Sequence, residues 1–322
     1  MSKSSPSLTA RAQGAFFGGF TWLVRVLPAG AGLKLMAGLG SLGAFLLGQR
    51  RRTAEGRIAQ ALGLPPGGPE CRRIARGSCR TMARGIFESW WIDGIEARHP
   101  GRVAIDVTGI EHVRRARAEG RGVLLVASHF GSFLLPGRAL SQEGAVVHAL
   151  SRPRGNASIE ARYQAGPLRF LAGNVGMEGG AGQLMRWLRD GEVVIVLVDQ
   201  RASRRHGVVL PFLGLPARHH NTAGQLAVRS GAALIPMYCM HDPDGPRYRV
   251  ELEAPLEVSP DLSREEAATD LTRRLSESLS ARVRAHPELY MWFHDRWRGE
   301  VPEADEAPAR SVATVGQGTT GR

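Results

Sequence analysis

Lysine is almost missing from this chain of 322 residues: Lys3 and Lys34 stand alone among 42 basic residues, so the net charge of +12 is carried by arginine. Guanidinium groups grip phosphate bidentately where ammonium does not, and such a surface seeks phosphate on a nucleic acid, an anionic lipid or a substrate. Cysteine is scarce too. Cys71, Cys79 and Cys239 are too few and too irregularly spaced for a disulfide framework or a zinc site, and they read as small buried side chains of a protein in a reducing compartment. No charge-free apolar run reaches the roughly 20 residues that cross a bilayer. The glycines at 173–182 are followed by no Gly-Lys-Ser/Thr, which excludes a phosphate-binding loop and leaves a flexible turn. With 43% hydrophobic and 22% charged residues, 40 Gly and 19 Pro, the chain fits one large folded domain or two small ones, and excludes general disorder and a collagen-like fibre.

The most apolar stretch runs from Ala15 to Gly48 and leads into Arg50-Arg51-Arg52. Arg25, Pro28 and Lys34 interrupt it, so it reads as two short helices lying in or dipping into a membrane interface, with one tilted span as the alternative. A cleaved signal peptide fits poorly, because the block starts late, is too long and lacks a small-x-small cleavage site. From 50 to 84 nine arginines face only Glu55 and Glu70. The positive-inside rule keeps such a segment cytoplasmic, and a solvated helix face is the plainer reading.

Pro69 to Ile92 shows helical spacing behind an initial proline and predicts one long amphipathic helix ending at Asp93-Gly94. Strands at 103–109, 122–128, 146–151 and 193–199 then alternate with helices at 110–118, 132–141, 156–171 and 180–189. A helix at 222–230, a hairpin of 233–240 with 247–258 across Asp242-Pro243-Asp244-Gly245, and an amphipathic helix at 263–285 complete the pattern. This order predicts an α/β fold: a mixed, largely parallel central sheet flanked by helices, preceded by an N-terminal hydrophobic, membrane-anchoring helical segment. The implied division is an anchor at 1–52, an α/β domain at 53–299 and a disordered tail at 300–322, rich in Ala, Glu, Pro, Gly and Thr.

Ligands of open α/β sheets bind beyond the carboxyl ends of strands, and Ser128-His129-Phe130-Gly131-Ser132-Phe133 follows an apolar run that reads as a buried strand and precedes a helix. GVLLVASHFGSF around His129, SRP at 151–153, VDQRASRRHGVVLPFLGLP at 198–216, LAVRSGAALIPMY at 226–238 and the closing HPE-x-x-x-W-x-H-x-R-W pattern at 286–297 resemble one family. It is the bacterial lipid A biosynthesis acyltransferases of the lauroyl and myristoyl type, within the lysophospholipid acyltransferase superfamily, and the resemblance covers about residues 10 to 299. It implies transfer of a fatty acyl chain from an acyl carrier protein or coenzyme A thioester to a hydroxyl of a lipid acceptor, at the cytoplasmic face of the inner membrane. The acceptor would be a lipid A precursor or another glycolipid or phospholipid. No metal and no cofactor beyond the thioester co-substrate are implied, and no nucleic acid.

In that chemistry His129 is the general base, held in one tautomer by an acidic partner. The family carries a carboxylate five positions after the histidine; here that residue is Leu134. Glu143 lies 14 residues on, roughly 20 Å away along a helix. Asp199 ends another strand at the same sheet edge and matches an acidic position of the family. Ser132 either reaches the ring or caps a helix. Two functions therefore stand: an acyltransferase in which Asp199 or a water supports His129, and a catalytically silent lipid-binding homologue.

By the same resemblance Arg152 matches a Tyr-Arg-Pro-like position and would hold a substrate phosphate or the phosphopantetheine of the donor. Between 201 and 220 the chain is basic without any acid, and Arg201, Arg204 and Arg205 suit a phosphate-bearing head group. Phe212 and Gly214 belong to a block like the family's VPFFG, where they line an acyl groove or form part of a core strand. His219-His220 makes a poor metal pair, since adjacent side chains point apart. Trp292, Phe293 and Trp297 interleaved with Arg296 and Arg298 would also suit a single-stranded nucleic acid, a reading the resemblance sets aside.

Overall fold

Five consecutive apolar residues form strand β2 (Val123–Ala127), and all five are buried. Alternation along the strand sends Val123, Leu125 and Ala127 to a core with Phe87, Trp90 and Trp91, and Leu124 and Val126 to an opposite core with Leu184, Leu226 and Leu271. A strand apolar on both faces belongs at the centre of a parallel sheet sandwiched by helices. The structure, a computed structural model, describes residues 8–46, 48–151, 155–176, 179–205, 207–243 and 245–301. Arg152, His206 and the tail beyond Val301 lie outside the described residues.

Four helices, α1 (Leu8–Val26), α2 (Ala29–Leu46), α3 (Gly48–Leu62) and α4 (Pro69–Arg98), precede β1 (Ala104–Thr108). After α5 (Ile110–Ala118) and β2 come α6 (Pro136–Gln142), β3 (Val147–Leu150), α7 (Ala157–Ala165), β4 (Gly173–Val175), α8 (Gly180–Arg189) and β5 (Val193–Leu197). The chain closes with β6 (Gly207–Phe212), β7 (Leu215–His220), α9 (Thr222–Ser230), β8 (Ala233–His241), β9 (Arg247–Leu252), α10 (Arg264–Ala285) and a 3-10 turn, Pro287–Leu289. The seven-stranded sheet runs β1-β9-β8-β2-β5-β3-β4. Every neighbouring pair is parallel except the β8–β9 hairpin, so the expected mixed, largely parallel sheet is present. Because β2 and β5 are neighbours in register, the residues that follow them, His129 and Asp199, leave the sheet at one edge.

Several expectations need correction. Helix α4 does not stop at Asp93-Gly94. A Cβ on Gly94 would lie 2.1 Å from the Arg25 carbonyl oxygen, so this glycine admits α1 against α4 rather than ending the helix. Within 173–182, Gly173–Val175 is an edge strand and α8 begins at Gly180. A Cβ at Gly173 would meet the His148 ring at 2.6 Å, so the glycine marks close packing. Helix α7 is shorter than 156–171 and starts from an Asn156 cap that accepts the Ser158 and Ile159 amides. The boundary at residue 52 falls inside α3, and the tail does not begin at 300: Glu300 pairs with Arg218 at 2.8 Å and Val301 packs on the aromatic cluster. Cys71 and Cys239 are buried as read, whereas Cys79 is half-exposed.

The two N-terminal helices are built into the domain as well as facing outward. Val24 and Met36 are buried in the core around Trp90, Phe17 packs edge-on against Trp90 at 5.5 Å, and the Trp91 indole donates to the Leu27 carbonyl at 2.9 Å. On α2, Leu35, Leu39, Leu42 and Leu46 repeat at helical spacing and are exposed, with Phe45 beside them. Among the described residues no single helix is long and apolar enough to cross a membrane. The seam at Gly94 is testable by thermal melting of the purified chain. Gly94→Val should cost about 1–3 kcal/mol by overpacking, whereas Gly38→Ala, with nothing within 4 Å of its new Cβ, should be neutral or slightly stabilising. Equal melting curves would overturn the close seam.

Candidate active site

The turn after β2 carries His129, and its geometry is fixed by what the next residues lack and touch. Gly131 adopts φ +58°, and a Cβ there would sit 2.0 Å from the Cys239 carbonyl oxygen, so only glycine brings the loop this close to β8. The His129 Nδ1 lies 2.9 Å from Asp199 Oδ1, and the His129 amide donates to Oδ2 of the same carboxylate at 3.0 Å. Two bonds from one residue lock ring and backbone together. Facing a carboxylate, Nδ1 carries the proton, which leaves the lone pair on Nε2.

Asp199 is 1% exposed. Burial pushes its carboxyl upward, but the His129 imidazole beside it and the Arg296 guanidinium outweigh burial and hold it below the usual carboxylate range. Arg296, itself buried, donates through one nitrogen to the Asp199 carbonyl and through another to His219 Nδ1 at 2.7 Å. Burial and this guanidinium pull the His219 imidazole down to about 3, so it stays neutral and accepts.

Arg296 belongs to the segment that follows α10, and that segment straps the histidine loop in place. Gly131 donates to the Leu289 carbonyl at 2.8 Å, Met291 donates to the His129 carbonyl at 3.0 Å, and Phe130 bridges Tyr290. Tyr290, Trp292 and Trp297 are buried with Phe130 and Phe212 in a third cluster. The closing sequence pattern thus packs directly behind the histidine.

The His129 side chain, 19% exposed, opens on a cavity of about 450 Å³ walled by Phe133, Leu134, Leu150, Leu171, Leu197 and other mostly apolar residues. This is within the range of small-molecule sites. Leu134 is part of the cavity wall. The carboxylate within reach of His129 is Asp199, so the ring has an acidic partner although position 134 does not supply one.

A family model described as bacterial lipid A biosynthesis acyltransferase matches residues 1–299. The chain belongs to this family. It is 28% identical to a lipid A biosynthesis lauroyltransferase of Escherichia coli (strain K12) over 285 residues, 87% of this chain and 89% of that one. It is 25% identical to a phosphatidylinositol mannoside acyltransferase of Mycobacterium tuberculosis (strain ATCC 25618 / H37Rv), covering 79% of each. A 1-acyl-sn-glycerophosphate acyltransferase structure from Thermotoga maritima covers 77% of this chain and 98% of that one at 14% identity, with a TM-score of 0.32. The protein is an acyltransferase of the lipid A biosynthesis family, an assignment that rests on the sequence matches.

Other residues of this acyltransferase read from sequence are dispersed. Arg201 is turned to the terminal strap: its amide donates to His294 Nε2 at 3.0 Å and its guanidinium to the Arg298 carbonyl at 3.1 Å. Arg204 and Arg205 stand exposed on the same loop, after Gln200, which does line the cavity. Phe212 and Gly214 do not line it. Phe212 is 0% exposed and stacks on Trp297 at 5.4 Å, and Gly214, at φ +87°, closes the β6–β7 turn with Leu213 at φ +54°. Within that block Phe212 and Leu213 are core residues, whereas Val209, Pro211 and Gly214 of the same hairpin are exposed. Ser132 neither reaches His129 nor caps α6; its hydroxyl donates to the buried Glu88 at 2.8 Å and lies 3.1 Å from His241. Arg152 lies outside the described residues. Arg296, which the sequence places only among the terminal aromatic and basic residues, belongs to this site, and its signal is an arginine set between aspartate and tryptophan in an otherwise aromatic motif.

The low pKa of His219 has a measurable consequence. Unfolded, the imidazole titrates near 6.5; folded, near 3, so below about pH 6.5 the unfolded state binds the extra proton and stability declines toward pH 3. At pH 5 the loss is roughly 2 kcal/mol. His219→Asn, which keeps an acceptor for Arg296, should flatten this limb in urea melts taken between pH 4 and pH 7. An unchanged slope would show that His219 does not set it.

Proposed function

We propose that the protein transfers a fatty acyl chain from an acyl carrier protein or coenzyme A thioester to a hydroxyl of a lipid acceptor, with His129 as general base and Asp199 as its partner. One observation carries this reading: a histidine paired to a buried carboxylate stands at the mouth of an apolar cavity. The acceptor oxygen attacks the thioester carbonyl carbon while Nε2 takes its proton. The tetrahedral adduct then expels the thiolate, which recovers the proton from Nε2, so the products are an ester and a free thiol. Asp199 stabilises the imidazolium that forms between the two steps. Apolar walls suit the acyl chain, and Leu134 contributes contact where a carboxylate would bring an unpaired charge.

The acceptor belongs to the lipid A precursors or related phosphorylated glycolipids, in keeping with the names of the relatives. We read the exposed apolar face of α1 and α2, with Phe16, Trp22, Leu39, Leu42 and Phe45 outward, as the part that sits in the cytoplasmic leaflet of the inner membrane. The neighbouring Arg50, Arg51 and Arg52 would meet its anionic head groups.

Transfer is measured by mass spectrometry, with purified protein, acyl-carrier-protein thioesters and a panel of lipid acceptors. His129→Ala should lower the rate by roughly a thousandfold or more, and Asp199→Asn by up to about ten-thousandfold. Leu134→Glu should slow transfer rather than speed it, because Asp199 already holds the ring and the new acid would enter the apolar wall. Activity that survives His129→Ala overturns the base assignment. In vesicle flotation, changing Trp22, Leu42 and Phe45 together to serine should leave the protein at the bottom of the gradient when the parent floats; flotation of both would refute the membrane face.

A further inference from the structure

A second cavity, of about 1200 Å³, lies on the other flank of the His129 loop, between α4, α2, the β8–β9 hairpin and the end of α10. Seven arginines line its walls. Helix α4 contributes Arg73, Arg76, Arg80 and Arg84, which helical spacing puts on one face, and β9 contributes Arg247 and Arg249 across from them. Arg282 of α10 completes the set. Four carboxylates, Asp106, Asp242, Glu251 and Glu288, share the cavity.

The pairing of these charges is uneven. Arg282 is held by Glu251 and Glu253, Arg84 by Glu88 and by the carbonyls of Pro243 and Gly245, and Arg73 by Glu70 at 2.7 Å. Arg249 stands 3.7 Å from Glu251. The guanidinium groups of Arg76 and Arg247 have no hydrogen bond or ion pair among the described residues, and that of Arg80 bonds the Ser41 hydroxyl at 2.7 Å. Three guanidinium groups that pair with no carboxylate thus border one concave space, where seven arginines outnumber four acids, an arrangement that suits a dianionic phosphate.

The cavity wall also includes Leu33 and Ala37 of α2, the helix whose outer stripe is the exposed leucines described above. A ligand with an anionic head and apolar tails would find both halves of its chemistry on adjoining surfaces. On its inner side the cavity reaches Leu289, whose carbonyl binds Gly131, and His241, which lies against Ser132. The head of such a ligand would therefore lie beside the loop that carries His129.

We propose that this arginine-lined cavity binds the phosphomonoester head group of a lipid, with Arg76, Arg80 and Arg247 as its principal contacts. The proposal deepens the acyl-transfer reading and rests on it for one point, that the bound lipid is the acceptor. Binding itself is measured without transfer. Detergent-solubilised full-length protein is titrated calorimetrically with micelles containing phosphatidic acid, with phosphatidylcholine micelles and with inorganic phosphate. Phosphatidic acid should bind more tightly than either of the others. Arg76→Gln with Arg247→Gln should weaken it by about a hundredfold, the loss of two charge-assisted contacts. Both side chains are exposed, so the melting temperature should not move. His129→Ala should bind phosphatidic acid as the parent does, which separates a failure of this site from a failure of the catalytic assignment. Unchanged phosphatidic acid affinity in the double variant overturns the site. Equal affinity for inorganic phosphate and phosphatidic acid overturns the lipid as its ligand. Loss of acyl carrier protein binding in the double variant, with phosphatidic acid unaffected, would instead make this face a protein-docking surface.

Discussion

A carboxylate buried as deeply as Asp199 is tolerated only where donors and positive charge replace the water it has lost, and much of the site follows from that requirement. The His129 ring and amide take its two oxygens. Arg296 reaches its carbonyl from the far end of the chain, and the second arm of that arginine needs an acceptor, which only a neutral His219 provides. Around them Phe212, Tyr290, Trp292 and Trp297 keep the charges dry, which strengthens each of these attractions. A histidine oriented by one carboxylate thereby depends on two other segments, the β6–β7 hairpin and the terminal strap.

The opposite flank of the histidine loop is held by a different kind of contact. Glu88, buried on α4, accepts from Ser132 and pairs with Arg84, and burial raises its pKa although Arg84 opposes the shift. Arg84 in turn fastens the turn of the β8–β9 hairpin through two carbonyls. His129 is thus gripped between a charged network on α4 and an aromatic strap, and the loop has little freedom to drift. That rigidity suits the role proposed for His129, since a misplacement of about 1 Å between reacting groups can cost on the order of a hundredfold in rate.

Much of this was legible in the sequence because local pattern and tertiary role agree there. Val123–Ala127 and Val193–Leu197 are apolar without interruption, so they read as central strands, and the polar residues at their ends read as site residues. What stayed hidden depended on contacts between distant segments. Gly94 and Gly173 look like breaks until their neighbours are seen, because a glycine that makes room for another backbone or ring carries the same letter as one that ends a helix. Phe212 looked like the lining of a groove because its block is apolar, and only the stack on Trp297 assigns it to the core. The arginines of α4 were visible as a charge run, but their convergence with Arg247 needed the hairpin that brings β9 across from them.

The strap makes the setting of His129 depend on chain order. His129 and Asp199 lie on strands that pair midway through synthesis, yet the bonds from Leu289, Met291 and Arg296 come from residues made roughly a hundred positions later. A nascent chain that has emerged only as far as α10 can form its sheet but lacks the cation beside its buried aspartate. The setting of His129 and Asp199 is therefore completed only once the last aromatic residues of the strap, Trp292 and Trp297, have been made.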